Sequence, residues 1–431
     1  MNGNKRTAHY IKEVCDQIKN KEVHAAITLE LENHFAEKIE DYREAGYGEE
    51  EATRIAIAEM GDPVDVGRHL HQAHKPRMEW GIVSIVGILL AIGLVTLYSL
   101  HIAEDNRNLI GRQLVGIIIG TVVLVAILFW DYSKLKRYSK ILYFGTMTLL
   151  LYTLLAGRPI AGIQYLDIGD SQLHFIGISP FLFIVALAGI FTEWKEHNRY
   201  TIVKLISYFL PPCLLLMLGE YEFAVLLYVG GYIALMIAAV PKKLVIMSYL
   251  AMVFAFVGGM VYLFAQPYQL DRLFHFLNTY LEPDGRGYIT NQSLKTIQSA
   301  TLWGQGFGAS LDDALPALES DYIFAYMVYI FGPIVGIAFF FLGVLLLLRL
   351  LQAIRRVKDV YGSLLLSGMI VLFFTPFFWG IFMTVGLAPP IAVNLPFVGF
   401  GIVHTVLQMA LIGLALNIYR RKDIQPLTKA S

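Results

Sequence analysis

Residues 303–324 read WGQGFGASLDDALPALESDYIF, a polar stretch that stands directly before a long apolar run. It closes a polar segment that begins near Gln266, in a chain otherwise dominated by apolar residues. Its three alternating glycines are Gly304, Gly306 and Gly308. Ser320 and Asp321 are the last polar pair of the stretch before the apolar run, and a loop between two membrane spans is the natural place for such a sequence. We expect any chemistry of this protein in the loop and at Asp321.

The composition is that of a membrane protein. The chain has 431 residues, of which 56% are hydrophobic and only 16% are charged, whereas a soluble protein carries about 25% charged residues. Apolar runs of about 20 residues cross a bilayer as helices, and the chain contains several. The sequence therefore predicts an all-α polytopic membrane protein. The formal net charge is zero and no extended basic block is present, which argues against nucleic acid as a partner.

Ten membrane spans are predicted between residues 80 and 422. The approximate ranges are 80–100, 109–130, 140–156, 173–192, 202–218, 221–240, 244–265, 322–348, 360–385 and 396–418. Lys and Arg concentrate in alternate short connections, and such connections stay in the cytoplasm. This bias predicts cytoplasmic termini, including a tail of residues 423–431, and places the large loop 266–321 outside.

Residues 1–79 read as a small soluble helical domain with eleven basic and sixteen acidic residues. Apolar residues at helical spacing form two stripes, which begin at Tyr10 and at Val23. The segment GYGEEEATRIAIAEMGDP resembles the helical prefix domain found in front of some Gram-positive membrane proteins. Two interpretations are open for this domain: a solvated cytoplasmic appendage or a regulatory sensor.

The polar residues near the apolar runs have structural as well as functional interpretations. Asp321 could cap the helix that follows it, or it could be a carboxylate whose pKa is raised at the membrane boundary so that it serves as a base. Glu220 and Glu222 lie either in interfacial water or at a functional site. For His404 we favour a hydrogen bond to a neighbouring helix.

Several motifs along residues 80–422 resemble the SEDS family of shape, elongation, division and sporulation proteins, which includes FtsW, RodA and SpoVE. The matching segments are Gly93–Ser99, Arg112–Leu114 with Asp131–Tyr132, Pro267–Arg272, Gly287–Tyr288, Asn291–Ser293, Trp303–Gly308, Ser320–Ala325 and Leu395–Phe397. Their order, spacing and expected topology all agree with the family. The resemblance places the chain in the bacterial cytoplasmic membrane.

The resemblance implies polymerisation of lipid II into glycan strands by glycosyl transfer. It makes Asp321 the catalytic residue, the general base that deprotonates the acceptor hydroxyl. It also makes a further set of residues candidates for substrate binding, namely Arg112, Gln113, Gln292, Ser293, Trp303, Gly304, Gly306, Ser320 and Pro396. A divalent cation, Mg²⁺ or Mn²⁺, would neutralise the pyrophosphate, although the sequence shows no metal-ligand pattern. The expected partner is a class B penicillin-binding protein.

The chain departs from the family pattern at several intramembrane positions. Phe183 stands where a lysine is expected, and Tyr329 and Ile330 stand where the family usually has a pair of glutamates. These departures keep two other functions open. One is a non-catalytic membrane scaffold or regulator of cell-wall synthesis, and the other is a transporter of lipid-linked precursors.

Overall fold

The computed structural model describes residues 2–19, 21–73, 78–104, 109–160, 162–169, 171–194, 200–240, 287–311 and 315–422. The seventh expected span at 244–265 lies outside these residues. So do the first part of the large loop, including the motif Pro267–Arg272, and the expected tail 423–431. Asp312 and Asp313 are also outside.

The chain divides into two compact units. One contains the residues up to Glu79 together with Arg356–Asp359 and the segment from Tyr419. The other, here called the membrane unit, contains Trp80–Arg355 and Val360–Ile418.

The first unit is built from four helices and a short 3-10 turn. They are α1 (Asn2–Asp16), the turn Lys21–Val23, α2 (His24–Glu44), α3 (Glu49–Glu59) and α4 (Pro63–Ala73). The helix α3 begins with three glutamates, which suit the positive end of a helix dipole. Between α3 and α4, Gly61 has a φ of +79° and the Asp62 carboxylate accepts a hydrogen bond from Val64 N–H. The core of the unit contains the apolar stripes expected from the sequence, with Val14, Ile27 and Phe35 almost fully buried.

The membrane unit consists of long apolar helices. In chain order they are α5 (Trp80–Glu104), α6 (Leu109–Phe129), the short α7 (Ser133–Arg137), α8 (Ser139–Ala156), α9 (Phe175–Thr192), α10 (Tyr200–Leu218), α11 (Glu222–Ala239), α12 (Tyr288–Gln298), α13 (Ile323–Phe331), α14 (Pro333–Arg356), α15 (Val360–Thr384) and α16 (Ile402–Arg420). Within the described ranges, nine of these helices are long and apolar enough to cross a membrane. The multi-pass helical fold is therefore confirmed. The central helix is α9, which packs against α8, α11 and α15.

Two prolines in α10 organise an aromatic cluster inside the membrane unit. Pro212 has no N–H, so the carbonyl of Tyr208, four residues earlier, loses its helical partner. The Tyr143 and Tyr228 hydroxyls both donate to that carbonyl, each at 2.9 Å. Tyr232 donates to the Leu205 carbonyl at 2.7 Å. The backbone hydrogen bond that Pro212 cannot donate is thus replaced by hydrogen bonds from tyrosine hydroxyls of neighbouring helices.

The expected eighth span at 322–348 is wrong as a single helix. The structure breaks it into α13 and α14 at Gly332, which has a φ of +85°, followed by Pro333 at the first position of α14. A left-handed glycine ends a helix and a proline begins one well. A Cβ atom on Gly332 would lie 2.2 Å from the carbonyl oxygen of Leu302. The segment Trp303–Gly308, here called the glycine loop, therefore begins directly against this break between α13 and α14.

The expected tenth span at 396–418 begins too early. The helix α16 starts at Ile402, because the preceding segment is turned by Phe397 at a φ of +67° and Gly401 at +156°. The sequence also missed a small antiparallel sheet before α9. Its strands are β1 (Arg158–Ile160), β2 (Ile163–Ile168) and β3 (Ser171–Leu173), in that spatial order. In register, Arg158 is opposite Tyr165 and Leu166 is opposite Leu173.

Candidate active site

Asp321 lies in the tight turn that precedes α13. Its carboxylate accepts a hydrogen bond from the Ser320 hydroxyl at 2.9 Å and another from the backbone N–H of Val393. Burial and, to a smaller extent, the charge of Glu319 raise the pKa of Asp321 to about 6, against the lowering effect of the two hydrogen bonds. The group is therefore a desolvated carboxylate held in one orientation, which suits a general base near neutral pH.

The backbone around Asp321 explains how the carboxylate is held. Ala317 adopts a φ of +51°, and its carbonyl accepts hydrogen bonds from the N–H groups of Ser320 and Asp321 at 3.1 and 2.9 Å. The Glu319 carbonyl accepts a hydrogen bond from Phe400 N–H at 2.7 Å. These contacts join the Asp321 turn to residues 388–401, here called the α15–α16 segment. Asp321 is thus part of a tertiary site, beyond any local role at the start of a helix.

The α15–α16 segment is fixed by side-chain amides. Asn394 donates from Nδ2 to the Phe400 carbonyl at 2.6 Å. The Gln408 side-chain oxygen accepts a hydrogen bond from Phe397 N–H at 2.9 Å. Phe397 also packs on α5, because a Cβ on Gly93 would lie 2.3 Å from its carbonyl oxygen. Two segments that resemble the family, Gly93–Ser99 and Leu395–Phe397, therefore meet in space.

A cavity lies beside this segment, and its empty space of about 440 Å³ includes a part that is open to solvent. Its polar lining residues are Tyr221, directly before α11, Asn394 in the α15–α16 segment, and His404 and Gln408 on α16. Pro396, a candidate from the sequence, also lines it, and apolar side chains of α9, α11, α15 and α16 form the rest. Asp321 is connected to the cavity in two ways. Its carboxylate binds the N–H of Val393, next to Asn394, and its charge contributes with burial to the raised pKa of Tyr221.

Arg112 and Gln113 are both near the site but in different roles. The Gln113 amide is buried, donates to Thr405 Oγ1 and accepts from Gly401 N–H, both at 3.1 Å. It therefore fixes the start of α16. The Arg112 guanidinium is exposed and lies 5.3 Å from the centre of the Phe400 ring. Arg112 is the cationic group of this set that a ligand could reach.

The glycine loop is packed against the end of α13. Gln305 N–H donates to the Tyr329 carbonyl at 2.8 Å, and Gly306 N–H donates to the Ile330 carbonyl at 3.2 Å. A Cβ on Gly304 would lie 2.2 Å from the Ile330 oxygen, so a glycine is needed there. Gly308 N–H donates to the Ser99 hydroxyl on α5 at 2.8 Å. Gly304 and Gly306 thus make helix contacts, while Trp303 is 81% exposed.

Gln292 and Ser293 belong to α12 and are buried. The Ser293 hydroxyl donates to the Thr384 carbonyl at 2.8 Å, which fixes α12 to the end of α15. Neither residue lines the cavity.

Sequence reasoning missed two residues beside the cavity, Asn394 and His174. Asn394 directly precedes the motif Leu395–Phe397 but is not part of it, and His174 directly follows β3, a strand that was not predicted. Tyr221 lies between Glu220 and Glu222, the two residues singled out in this region of the sequence, and its hydroxyl donates to the Ala392 carbonyl at 3.1 Å. His404, assigned a structural role from its position within a span, lines the cavity.

Among the described residues, no group of three or more His, Cys, Asp and Glu side chains could hold a metal ion. The protein side chains described here therefore do not form a cage for the cation that the resemblance implies.

The fold and the site together define a multi-pass helical membrane protein with a half-buried carboxylate beside a cavity. A model of the family described as "Cell cycle protein" (FTSW_RODA_SPOVE) matches residues 77–424. The chain belongs to this family, the SEDS family, as the motifs indicated.

Curated relatives match over most of their length. Stage V sporulation protein E of Bacillus subtilis (strain 168) is 26% identical over 364 residues, with 79% of this chain and 96% of that protein covered. A protein named "Probable peptidoglycan glycosyltransferase FtsW", from Thioalkalivibrio sulfidiphilus, is 27% identical, with 83% of this chain and 93% of that protein covered.

A solved structure of a peptidoglycan synthase complex contains a chain of similar fold. The TM-score is 0.67 at 21% identity, with 80% of this chain and 98% of that chain covered. This similarity supports the arrangement of the helices.

Proposed function

We propose that this chain is a peptidoglycan glycosyltransferase that polymerises lipid II into glycan strands, in cell shape, division or sporulation. The observation that carries the proposal is the Asp321 carboxylate, which is desolvated, held by Ser320 and Val393, and connected to a cavity. Family membership and relatives named as peptidoglycan glycosyltransferases support the same reaction.

Asp321 acts as the general base in this proposal. The 4-hydroxyl of an acceptor GlcNAc attacks C1 of a donor MurNAc. The new C1–O4 bond forms as the bond from C1 to the pyrophosphate breaks, and undecaprenyl pyrophosphate leaves. The proton of the hydroxyl passes to the Asp321 carboxylate. Because the leaving group is already activated, one base together with positioning supplies the needed catalysis.

The sidedness of the site follows from the charge pattern of the sequence. With both termini in the cytoplasm, Asp321 lies at the outer face of the cytoplasmic membrane, where a flipped lipid-linked substrate is presented. A class B penicillin-binding protein is the proposed partner, and the similar fold in a peptidoglycan synthase complex supports it. A divalent cation on the pyrophosphate stays a prediction, and no step of this mechanism depends on one.

The decisive experiment is polymerisation of purified lipid II by the full chain in detergent or liposomes, alone and with the partner. Asp321→Asn keeps the size of the side chain and one acceptor oxygen but removes the base. We expect the rate to fall by about 10²- to 10⁴-fold. Asp167→Asn, at an exposed position of β2, is a matched control that should leave the rate unchanged.

Three other outcomes would contradict parts of this proposal. Full activity of Asp321→Asn would eliminate Asp321 as the base. Complementation of a gene deletion by Asp321→Asn, but not by a chain lacking residues 1–76, would favour the scaffold. Translocation of lipid II across liposomes without any polymer would favour the transporter.

A further inference from the structure

Two buried polar atoms near the cavity have no hydrogen-bond partner in the part of the chain that the structure describes. They are Oδ1 of Asn394 and Nε2 of His174. A buried polar atom left without a partner destabilises a fold, so natural proteins retain few of them. Two such atoms beside one cavity therefore point to a ligand that pairs with them.

Asn394 is held so that its carbonyl oxygen cannot turn away. Its Nδ2 donates to the Phe400 carbonyl at 2.6 Å, which fixes the amide and leaves Oδ1 on the other side. A Cβ on Gly399 would lie 2.7 Å from Oδ1, so the glycine provides the space for this atom. The residue lines the cavity and directly follows Val393, whose N–H binds Asp321.

His174 is held by three neighbours. Its ring stacks on Tyr165 of β2 at 5.1 Å between centres and meets the edge of Tyr221 at 4.7 Å. A Cβ on Gly177 would lie 2.9 Å from Nδ1, so the imidazole rests on that glycine. Gly177 and Tyr221 both line the cavity, so His174 lies directly behind two of its lining residues.

The state of the imidazole limits what it can bind. Burial, together with the nearby His404, lowers the pKa of His174 to about 4. The ring is therefore neutral at physiological pH. A neutral imidazole and a carboxamide form hydrogen bonds with neutral polar groups and provide no charge for a phosphate.

We propose that Asn394 and His174 are substrate-binding residues that form a hydrogen-bonding pair for the sugar part of the lipid-linked substrate. Asn394 Oδ1 only accepts hydrogen bonds, so its partner is a donor: a sugar hydroxyl or the N–H of an acetamido group. An ionised pyrophosphate has no such donor. The pair binds the sugar side of the scissile bond, near Asp321. This proposal rests on the proposed glycosyltransferase function.

The test separates binding from catalysis by measuring kcat and KM for lipid II in three variants. His174→Phe keeps the ring contacts with Tyr165 and Tyr221 but removes Nε2. His174→Gln supplies an amide at about the position of Nε2. Asn394→Leu removes Oδ1. We expect KM to rise about three- to tenfold in His174→Phe and Asn394→Leu. In His174→Phe, kcat should stay within about twofold of wild type, and in His174→Gln the KM should return toward the wild-type value.

Asn417→Leu is the matched control. Asn417 also has a buried Oδ1 without a partner among the described residues, and its Nδ2 donates to the carbonyls of Ile127 and Trp130. It does not line the cavity. This variant should lower thermal stability and leave KM unchanged. An equal rise of KM in Asn417→Leu and Asn394→Leu would show that the effect does not depend on the cavity, and that result would overturn the proposal.

The remaining outcomes are also decisive. If either His174→Phe or Asn394→Leu keeps the wild-type KM, the pair is overturned. The proposed glycosyltransferase function is unaffected by that result as long as the wild-type enzyme polymerises lipid II. If the wild-type chain makes no polymer, the proposed function has failed, and binding of fluorescent lipid II in nanodiscs becomes the test. Weaker binding by both variants then supports the pair, and equal or absent binding overturns it.

Discussion

The interior aromatic cluster and the Asp321 end of the membrane unit use their polar groups in opposite ways. In the cluster, Tyr143, Tyr228 and Tyr232 each donate to a backbone carbonyl of α10. Beside Asp321, Asn394 and His174 each keep one buried atom without a partner among the described residues. A fully paired network stabilises a fold, whereas an incompletely paired one leaves hydrogen-bonding capacity for a ligand.

Phe183 shows how the interior has lost charge without losing packing. It occupies the place where the family resemblance expects a lysine. Its ring is fully buried, 5.6 Å from the centre of Tyr143 and 5.7 Å from that of Tyr228. The difference between the two regions teaches that a family's polar positions can be replaced by aromatic packing in the interior while the carboxylate at the site is kept.

The largest expected effect comes from restoring the lysine. Phe183→Lys puts an unpaired ammonium into a fully buried aromatic site, so it should destabilise the membrane unit by at least about 3 kcal/mol. The measurement is the yield of monodisperse protein in detergent together with the midpoint of thermal unfolding.

Phe183→Leu is the control, since it stays apolar and should cost less than about half as much. If the lysine variant were as stable as wild type and more active on lipid II, the interior would still be part of the site. The contrast between the two regions would then fail.

The next effect distinguishes two glycines in one loop. Gly304→Ala places a methyl group 2.2 Å from the Ile330 oxygen at a φ of +78°, so clash and backbone strain together should cost about 2–5 kcal/mol. Gly306→Ala has a φ of +103° but no atom within 4 Å, and strain alone should cost about 1–2 kcal/mol. Urea or thermal unfolding in detergent measures both. Equal losses would show that the loop is not packed on α13.

Much of the fold follows from sequence because long apolar runs have one stable solution in a bilayer. The spans at 140–156 and 360–385 match α8 and α15 within about one residue. The errors at 322–348 and 396–418 have a common cause. Hydropathy responds to side chains, whereas Gly332, Phe397 and Gly401 end or delay helices through backbone angles and tertiary contacts.

The site was only partly predictable for a similar reason. Asp321 could be singled out because its neighbours form a motif in sequence. Asn394, His174 and Tyr221 come from three distant parts of the chain, and only the fold brings them to one cavity. Gln113 and Ser293, expected near substrate, bind Gly401 and the Thr384 carbonyl instead, and no sequence pattern separates those two uses of a polar side chain.

A smaller effect tests whether the interior hydroxyls share one carbonyl. Tyr143→Phe or Tyr228→Phe alone should cost about 1 kcal/mol, because the other hydroxyl still pairs with the Tyr208 oxygen. The double variant leaves that oxygen without a tyrosine donor, so its loss should exceed the sum of the two. Thermal unfolding of all three variants measures the coupling. Strict additivity would show that Pro212 leaves no carbonyl in need of a partner, and KM for lipid II should stay unchanged throughout.

The smallest effect concerns the pH dependence of the proposed reaction. Asp321 must be ionised to accept a proton, and its pKa is about 6, so the rate should fall as the pH drops through about 6 and level off above neutrality. The negative charge of Glu319 disfavours a second charge on Asp321 and so raises this pKa. Glu319→Gln removes that charge, and the acid limb of kcat should move to lower pH by less than about one unit, with the rate at pH 8 unchanged. Ser320→Ala should move the limb in the opposite direction, because it removes a hydrogen bond that stabilises the carboxylate. An acid limb that stays in place in both variants would mean that a group other than Asp321 controls the rate, and the Asp321 end would then lose its distinction from the interior.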